Sequence, residues 1–474
     1  TIKLDGNYPV GTNNVALGDA ALSSNVSGAG NTAIGHQAAT NNTASNNTFV
    51  GFAIGYANTT GTENVGFGGE GASSNTTLRF NTSGSYNSAI GIGALASNTT
   101  ASYNTAVGYQ AGYSNTTGQV EAFGYQALYN NTGNYNQAFG YQALNSNTSG
   151  SYNIAMGRGA VQLNTTGSNN VGIGFQALVN NTTASNNTAV GYQAGLNNTT
   201  GNDNAFFGRI SGYTSTTAIQ STFVGAQTGY SNTTGSGNTF VGSDSGYLNT
   251  TGTRNQFFGK NSGESVTTGS KNTILGGYNG NFGGLDIRTS SNNIVLSDGD
   301  GNVRAHCDSN ADFYIGGTTR YPGSGNTANG FMIEGGQRTV FISRASASTL
   351  QLNRNTDDGA IVSIRQGGTE EGSISVSGTT VSYNGGHLAR WSQLPDNTRD
   401  NTLLKGTVLT NLDQMAVWGE EDNEQLNCMA KSSVEGDANV AGVFVNWDND
   451  DDEYTNDMNI AMTGDMIIRI AQGT

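Results

Sequence analysis

The residues of this chain that could do chemistry are few. The run Asp448-Asn449-Asp450-Asp451-Asp452-Glu453 places Asp448, Asp450 and Asp452 at alternate positions, hard oxygen donors of the kind Ca²⁺ takes. The segment Asp298-Gly299-Asp300-Gly301-Asn302 repeats that spacing with Asp298 and Asp300, without the closing Glu of a loop site. Solvated turns are the plainer reading of both, so calcium is the one cofactor the sequence raises. His36, His306 and His387 lie far apart, and neither a GxSxG elbow nor a GxxxxGK[ST] loop occurs. No catalytic residue is named, and a non-enzyme is expected. Trp391, Trp418, Trp447 and Tyr454 are flat surfaces able to stack on glycan rings, although a core position suits each Trp as well.

These residues must be positioned by a chain dominated by one repeat: Asn, a small or polar residue, a small residue or Phe, a bulky apolar residue, Gly. It starts at Asn14-Val15-Ala16-Leu17-Gly18 and ends in a degenerate copy, Asn293-Ile294-Val295-Leu296-Ser297, and most steps are 16 or 17 residues. A period that short fits one coil of a β-solenoid. With strands about 4.8 Å apart, seventeen coils stack to roughly 80 Å.

The residue before each anchor Gly is bulky and apolar in every copy, from Leu17, Ile34 and Val50 to Phe258, Leu275 and Leu296. This column is expected to point into a dry interior, where burying each member contributes about 1.5–3 kcal/mol before entropy. One position earlier the early coils carry Ala or Gly except for Phe49, and later ones carry Phe206, Phe223, Phe240 and Phe257. A second column answers it. With Ala, the fourth residue after Gly is often large (Leu22, Leu95, Leu128, Leu144, Val161); with Phe it is Gly55, Gly212, Gly229, Gly246 or Gly263. Volume conservation in a packed lumen explains this. Gly112 and Gly195 break the rule, and Tyr113 or Leu196 is expected to fill the space there.

Asn/Thr/Gly/Ser runs such as Ser114-Asn115-Thr116-Thr117-Gly118 are the corners, because Asn and Gly tolerate left-handed backbone and Thr bonds back to the main chain. Many also match N-x-S/T acceptors, but they follow the coil period, which favours corner chemistry and stacked Asn ladders over glycosylation.

The 474 residues include 70 Gly and 3 Pro, with a net charge of -15 and only 19 Lys and Arg. Such a surface does not suit nucleic acid or anionic lipid headgroups. Cys307 and Cys428 offer neither a disulfide framework nor a CxxC metal spacing. No run of about 20 apolar residues exists, so no membrane insertion is expected. The start at Thr1-Ile2-Lys3 reads as a trimmed chain or part of a gene product.

The expected organisation is a lead-in over 1–11, a repeat rod over 12–297, a β connector over 298–385 with short alternating runs such as Thr339-Val340-Phe341-Ile342-Ser343, and a C-terminal β domain over 386–474 holding all three Trp. The fold class is all-β.

Asn87-Ser88-Ala89-Ile90-Gly91 and Asn104-Thr105-Ala106-Val107-Gly108 resemble head repeats of trimeric autotransporter adhesins, which implies a left-handed, trimeric β-roll. Thr349-Leu350-Gln351-Leu352-Asn353-Arg354 through Gly372-Ser373-Ile374-Ser375-Val376-Ser377-Gly378 resembles the segment before C-terminal chaperone domains of phage tail fibres. Gly442-Val443-Phe444-Val445-Asn446-Trp447 with Met462-Thr463-Gly464-Asp465 is similar to C-terminal modules of marine cyanophage structural proteins, which in turn resemble self-cleaving phage chaperones. The resemblances imply a homotrimeric virion fibre, joined to baseplate or tail proteins, that attaches to a glycan or protein receptor on a bacterial surface. Ala33, Ala89, Ala106 and Ala122 are the expected close-approach face between chains.

Two alternatives remain at this point: a cell-surface adhesin of autotransporter type, and a polysaccharide-degrading tailspike whose carboxylates come from different coils. Against the second, the stretch from Asn87 to Gly259 holds only Glu121, Asp203 and Asp244 as acids.

Overall fold

The computed structural model describes residues 11–69, 75–317, 330–336, 338–344, 348–352, 354, 357–385, 389–396, 398–415, 427–433, 440–447 and 458–461. Among these the structure is entirely strands and turns. Short strands β1 (Val15–Leu17) to β16 (Thr273–Leu275), most of three residues, are followed by β19 (Ile294–Ser297), and each pairs in parallel with its equivalent one coil on. The register is strict: Ala189 lies between Gly172 and Phe206. A β-solenoid of about 17 residues per coil is therefore present, as the repeat predicts.

The direction of the strands corrects the reading of the bulky column. With three residues and alternating side chains, only the middle one can face the lumen. That residue is the small-or-Phe position: Ala33, Ala89, Ala106, Ala122, Phe206, Phe223, Phe240 and Phe257 are fully buried. The bulky residue after it faces outward. Phe67, Ile90, Met156, Ile173, Phe207, Val224, Phe258, Leu275 and Leu296 are exposed, between 37% and 45%, and the other members are partly buried. The alanines cannot be a close-approach face between chains, because they line the inside of their own coil.

The volume exchange between columns holds. A Cβ on Gly55 would stand 2.7 Å from the Phe49 ring, and one on Gly229 2.6 Å from that of Phe223, whereas Leu95, Leu128 and Leu144 fill the same place opposite alanines. The two exceptions have a different cause from the one expected. A Cβ on Gly195 would meet Phe206 of the following coil at 2.6 Å, and one on Gly112 would meet Leu95 of the preceding coil at 3.0 Å. Tyr113 instead stacks on Tyr129 with its ring partly in solvent. The small residue is thus needed in a Phe coil and in the coil before it, which also accounts for Ala39 ahead of Phe49.

Two columns of asparagine run inside the coils. In one, Oδ1 accepts the backbone N–H of the next coil's Asn, as from Asn153 to Asn136 and from Asn170 to Asn153. In the other, Nδ2 donates to Oδ1 of the previous coil and to a backbone carbonyl three residues on, as Asn164 does to Asn147 and Gly167. Each such bond contributes about 0.5–1.5 kcal/mol net. Asn115 and Asn198, both in N-x-T triplets, are fully buried members of this column, so corner chemistry accounts for them.

The ladder's interruptions leave orphans that the sequence explains. Ser215 follows Asn198 and Val266 follows Asn249, and the Oδ1 atoms of Asn198 and Asn249 have no partner. Val120 interrupts the other column; Asn115 turns to Asn104, and Asn98 Oδ1 loses its donor.

The period ends where Tyr278, fully buried, bonds to the carbonyl of Leu285 across a hairpin of β17 (Asn281–Phe282) and β18 (Leu285–Asp286). After β19 the turn at Asp298–Gly301 reverses the chain. Antiparallel strands β20 (Val303–Cys307), β21 (Phe313–Ile315), β22 (Gly330–Ile333) and β23 (Val340–Ser343) extend the same sheet.

A second compact unit begins at Leu350, inside the segment read as a connector. It holds a three-stranded meander, β24 (Gly359–Gln366), β25 (Thr369–Ser377) and β26 (Thr380–Gly385), and a five-stranded sheet. The latter comprises β27 (Ala389–Ser392), β28 (Val408–Met415), β29 (Asn427–Lys431), β30 (Val440–Trp447) and β31 (Met458–Ala461) around Leu409, Met429, Phe444, Met458 and Ile460.

Candidate functional site

The anchor glycines build the site. Each has φ between about 110° and 144°, a region closed to ordinary side chains, and a Cβ there would run into the corresponding backbone of the next coil. Coils can therefore stack at strand spacing only with Gly here, and the preceding residue is held on the outer face in every coil. The result is a continuous apolar column along the sheet. Within it Phe123 and Phe139 stack at 4.8 Å.

Beside the column, at the residue after the anchor, Tyr109, Tyr125 and Tyr141 form a stack with centroids 5.3 and 5.0 Å apart, all more than 40% exposed. Arg158 lies over the ring of Tyr141 at 5.4 Å. Together they make a long face of apolar and aromatic side chains with no charge in the apolar column itself. Soluble monomers rarely expose a contiguous apolar patch of more than a few hundred Å². Nine of the seventeen side chains have more than a third of their surface in solvent and the rest are partly exposed, on the order of 1,000 Å² per chain, against about 800 Å² per partner in an ordinary stable interface.

The acidic candidates divide. Asp298 closes its own turn: it accepts from the backbone N–H of Asp300 and Asn302, from Asn302 Nδ2 and from Arg304. The Asn302 contact above all, helped by Arg304, holds its carboxyl down at about 2. Asp300 is exposed at the rim of a cavity. Asp448, Asp450 and Asp452 lie outside the described residues, as do Trp418 and Tyr454. Trp391 sits on β27. Trp447 is partly buried, edge-on to Phe444 at 5.5 Å, with the Arg399 guanidinium 5.9 Å from its ring. No group of three metal-ligating side chains occurs among the described residues. Cys307 and Cys428 are free thiols, both pushed up by burial.

Sequence reasoning passed over His306. It sits on β20 opposite Val295, stacks on Tyr314 at 5.1 Å, and is 4% exposed with Nδ1 unpartnered. Burial pushes its pKa below the ordinary histidine value, more strongly than the Asp308 charge raises it. The unfolded chain therefore binds this proton first. Stability from neutral His306 is complete above the unfolded value of about 6.5 and declines as pH falls through it, by up to ~1.4 kcal/mol per pH unit. Amide protection factors in β19 to β21, with the intrinsic pH dependence of exchange divided out, should fall between about pH 7 and 5, and His306→Gln should flatten that response. An unchanged profile in the variant would assign the proton elsewhere.

The chain matches no family model, no curated protein and no solved structure. Among the described residues no helix is long and apolar enough to cross a membrane.

Proposed function

We propose that the chain is a structural fibre of a phage virion, a homotrimeric tail fibre whose rod holds attachment surfaces away from the particle and toward a bacterial surface. The observation that carries this reading is the outward apolar column. A solenoid that needed no partner would have no reason to keep Leu, Ile, Val, Met or Phe in solvent at every coil. The same patch repeated along a rod is self-complementary, and a closed arrangement of identical chains covers it on all of them at once. Three chains around a common axis would turn the column of each toward the other two. The phage assignment draws on the resemblance of 349–378 to the segment before C-terminal chaperone domains of phage tail fibres, and of the Trp447 region to C-terminal modules of marine cyanophage structural proteins.

The test is the native particle mass beside the intact mass of the denatured chain. A threefold ratio is expected, and a single-chain particle at micromolar concentration would end the fibre reading.

A further inference from the structure

Where the solenoid's period breaks, the turns no longer close on one another. The loop after β15 (Gln256–Phe258) carries Lys260, Asn261 and Glu264; the loop after β16 carries Asn279; the β17 strand carries Phe282; and the turn between β19 and β20 carries Asp300. These surround a cavity of about 350 Å³. In earlier coils each such turn is bonded by the next, as the carbonyl of Ala226 is by the N–H of Asp244 and that of Ser243 by the N–H of Asn261. Here the chain diverts into the β17–β18 hairpin and leaves the space open.

The chemistry of the lining is mixed in a particular way. Phe282 is 47% exposed, so an apolar ring stands in the wall without being part of the core. Asn261 fixes the Glu264 carboxylate in the wall, its Nδ2 donating to it at 2.9 Å. Lys260 and Asp300 are both exposed at the cavity.

We infer that this cavity binds one neutral hexopyranose ring. Its volume lies at the low end of the ~300–1,000 Å³ of small-molecule sites, enough for a single ring. The exposed Phe282 ring suits the C–H face of a sugar. Glu264 and Asp300 accept from hydroxyl groups, and Lys260 donates to a ring or hydroxyl oxygen. A metal ion fits less well: the wall includes a phenyl ring and a lysine, and only two carboxylates face the space. An anion is disfavoured by those same two carboxylates. The inference rests on the fibre reading only for where the sugar comes from, a glycan on the bacterial surface; the site itself belongs to the chain.

Saturation-transfer NMR on the full chain with methyl α-pyranosides of glucose, galactose and mannose tests it. Transfer to ring C–H protons of at least one glycoside is expected. Phe282→Ala should reduce it about fivefold or more, because the stacking surface is gone, and Asp300→Asn should weaken it without changing native mass or circular dichroism. No transfer from any of the three, or transfer unaltered in both variants, overturns the site. Stronger transfer to methyl glucuronide would overturn the neutral class. A sugar signal lost in Phe282→Ala in a chain that weighs as a monomer would leave the cavity assignment standing and remove the fibre, while a trimer without a sugar signal would do the reverse.

Discussion

Phe257→Ala combined with Gly263→Leu should be much more stable than either change alone. Phe257→Ala opens a ring-sized void in the lumen and is expected to cost about 3–5 kcal/mol. Gly263→Leu drives a side chain into the Phe257 ring, whose atoms are the nearest neighbours of the missing Cβ, at a cost of about 1–3 kcal/mol or more. Backbone strain is a minor part of that cost, since Leu128 and Leu144 occupy the equivalent position at φ of 54° and 51°. The double variant recreates the Ala122 and Leu128 arrangement and should recover more than half of the summed loss. What it does not recover includes the 4.8 Å stack of Phe257 on Phe240, worth about 0.5–1.5 kcal/mol.

The same exchange one coil earlier, Phe240→Ala with Gly246→Leu, should recover much less. There the following coil still carries Phe257, which would meet the new Leu as Phe206 meets Gly195. Because a solenoid opens locally, amide exchange over residues 239–275 beside the denaturant midpoint is the suitable measurement. Equal recovery in both coils would show that the columns pack only within a coil and would refute the account of Gly195 and Ala39.

That exchange is also where the sequence was most legible and most misread. Fold class, period and coil register follow from the spacing of the anchor glycines alone. The direction of the strands does not, because the two candidate inward columns differ by one residue and a one-residue choice moves every side chain to the other face. Hydrophobicity favours the bulky column inside. Size decides otherwise: the lumen is narrow, and a middle-strand Ala facing a Leu from the opposite wall already fills it. The signal was present, since the Ala/Leu against Phe/Gly exchange places the middle residue in contact with the far wall, and alternation then puts its bulky neighbour outside. The cavity beside Phe282 carried no comparable signal. Lys260, Asn279 and Asp300 come together only because three successive turns and a hairpin fail to repeat, and an exception to a period does not say what it encloses. His306 was passed over for a related reason: a lone histidine becomes notable only when burial takes away its water.

Aspartate placed on the outer column should dissolve the proposed trimer and leave the coil intact. Ile90, Ile173 and Val224 are 45%, 37% and 38% exposed in the single chain, so Ile90→Asp, Ile173→Asp and Val224→Asp together remove little internal packing. Each is expected to lower the stability of the isolated coil by no more than about 1 kcal/mol, the range of strand propensity at a solvent-facing position. In a trimer the balance is different. Every substituted layer brings three carboxylates into a face that has no basic residue in its column, and burying an unpaired charge costs several kcal/mol per ion. Three layers far apart along the rod prevent a shift in register from escaping the charges. The native mass should therefore fall to that of one chain, with circular dichroism unchanged. Tyr103→Asp is the control, because Tyr103 is 62% exposed and lies outside the column; it should leave the mass unaltered. If the triple variant keeps the threefold mass, the chains associate through another surface. If instead it loses its β-sheet signal as a monomer, the column contributes to the coil's own stability, and the argument that it exists to meet a second copy fails.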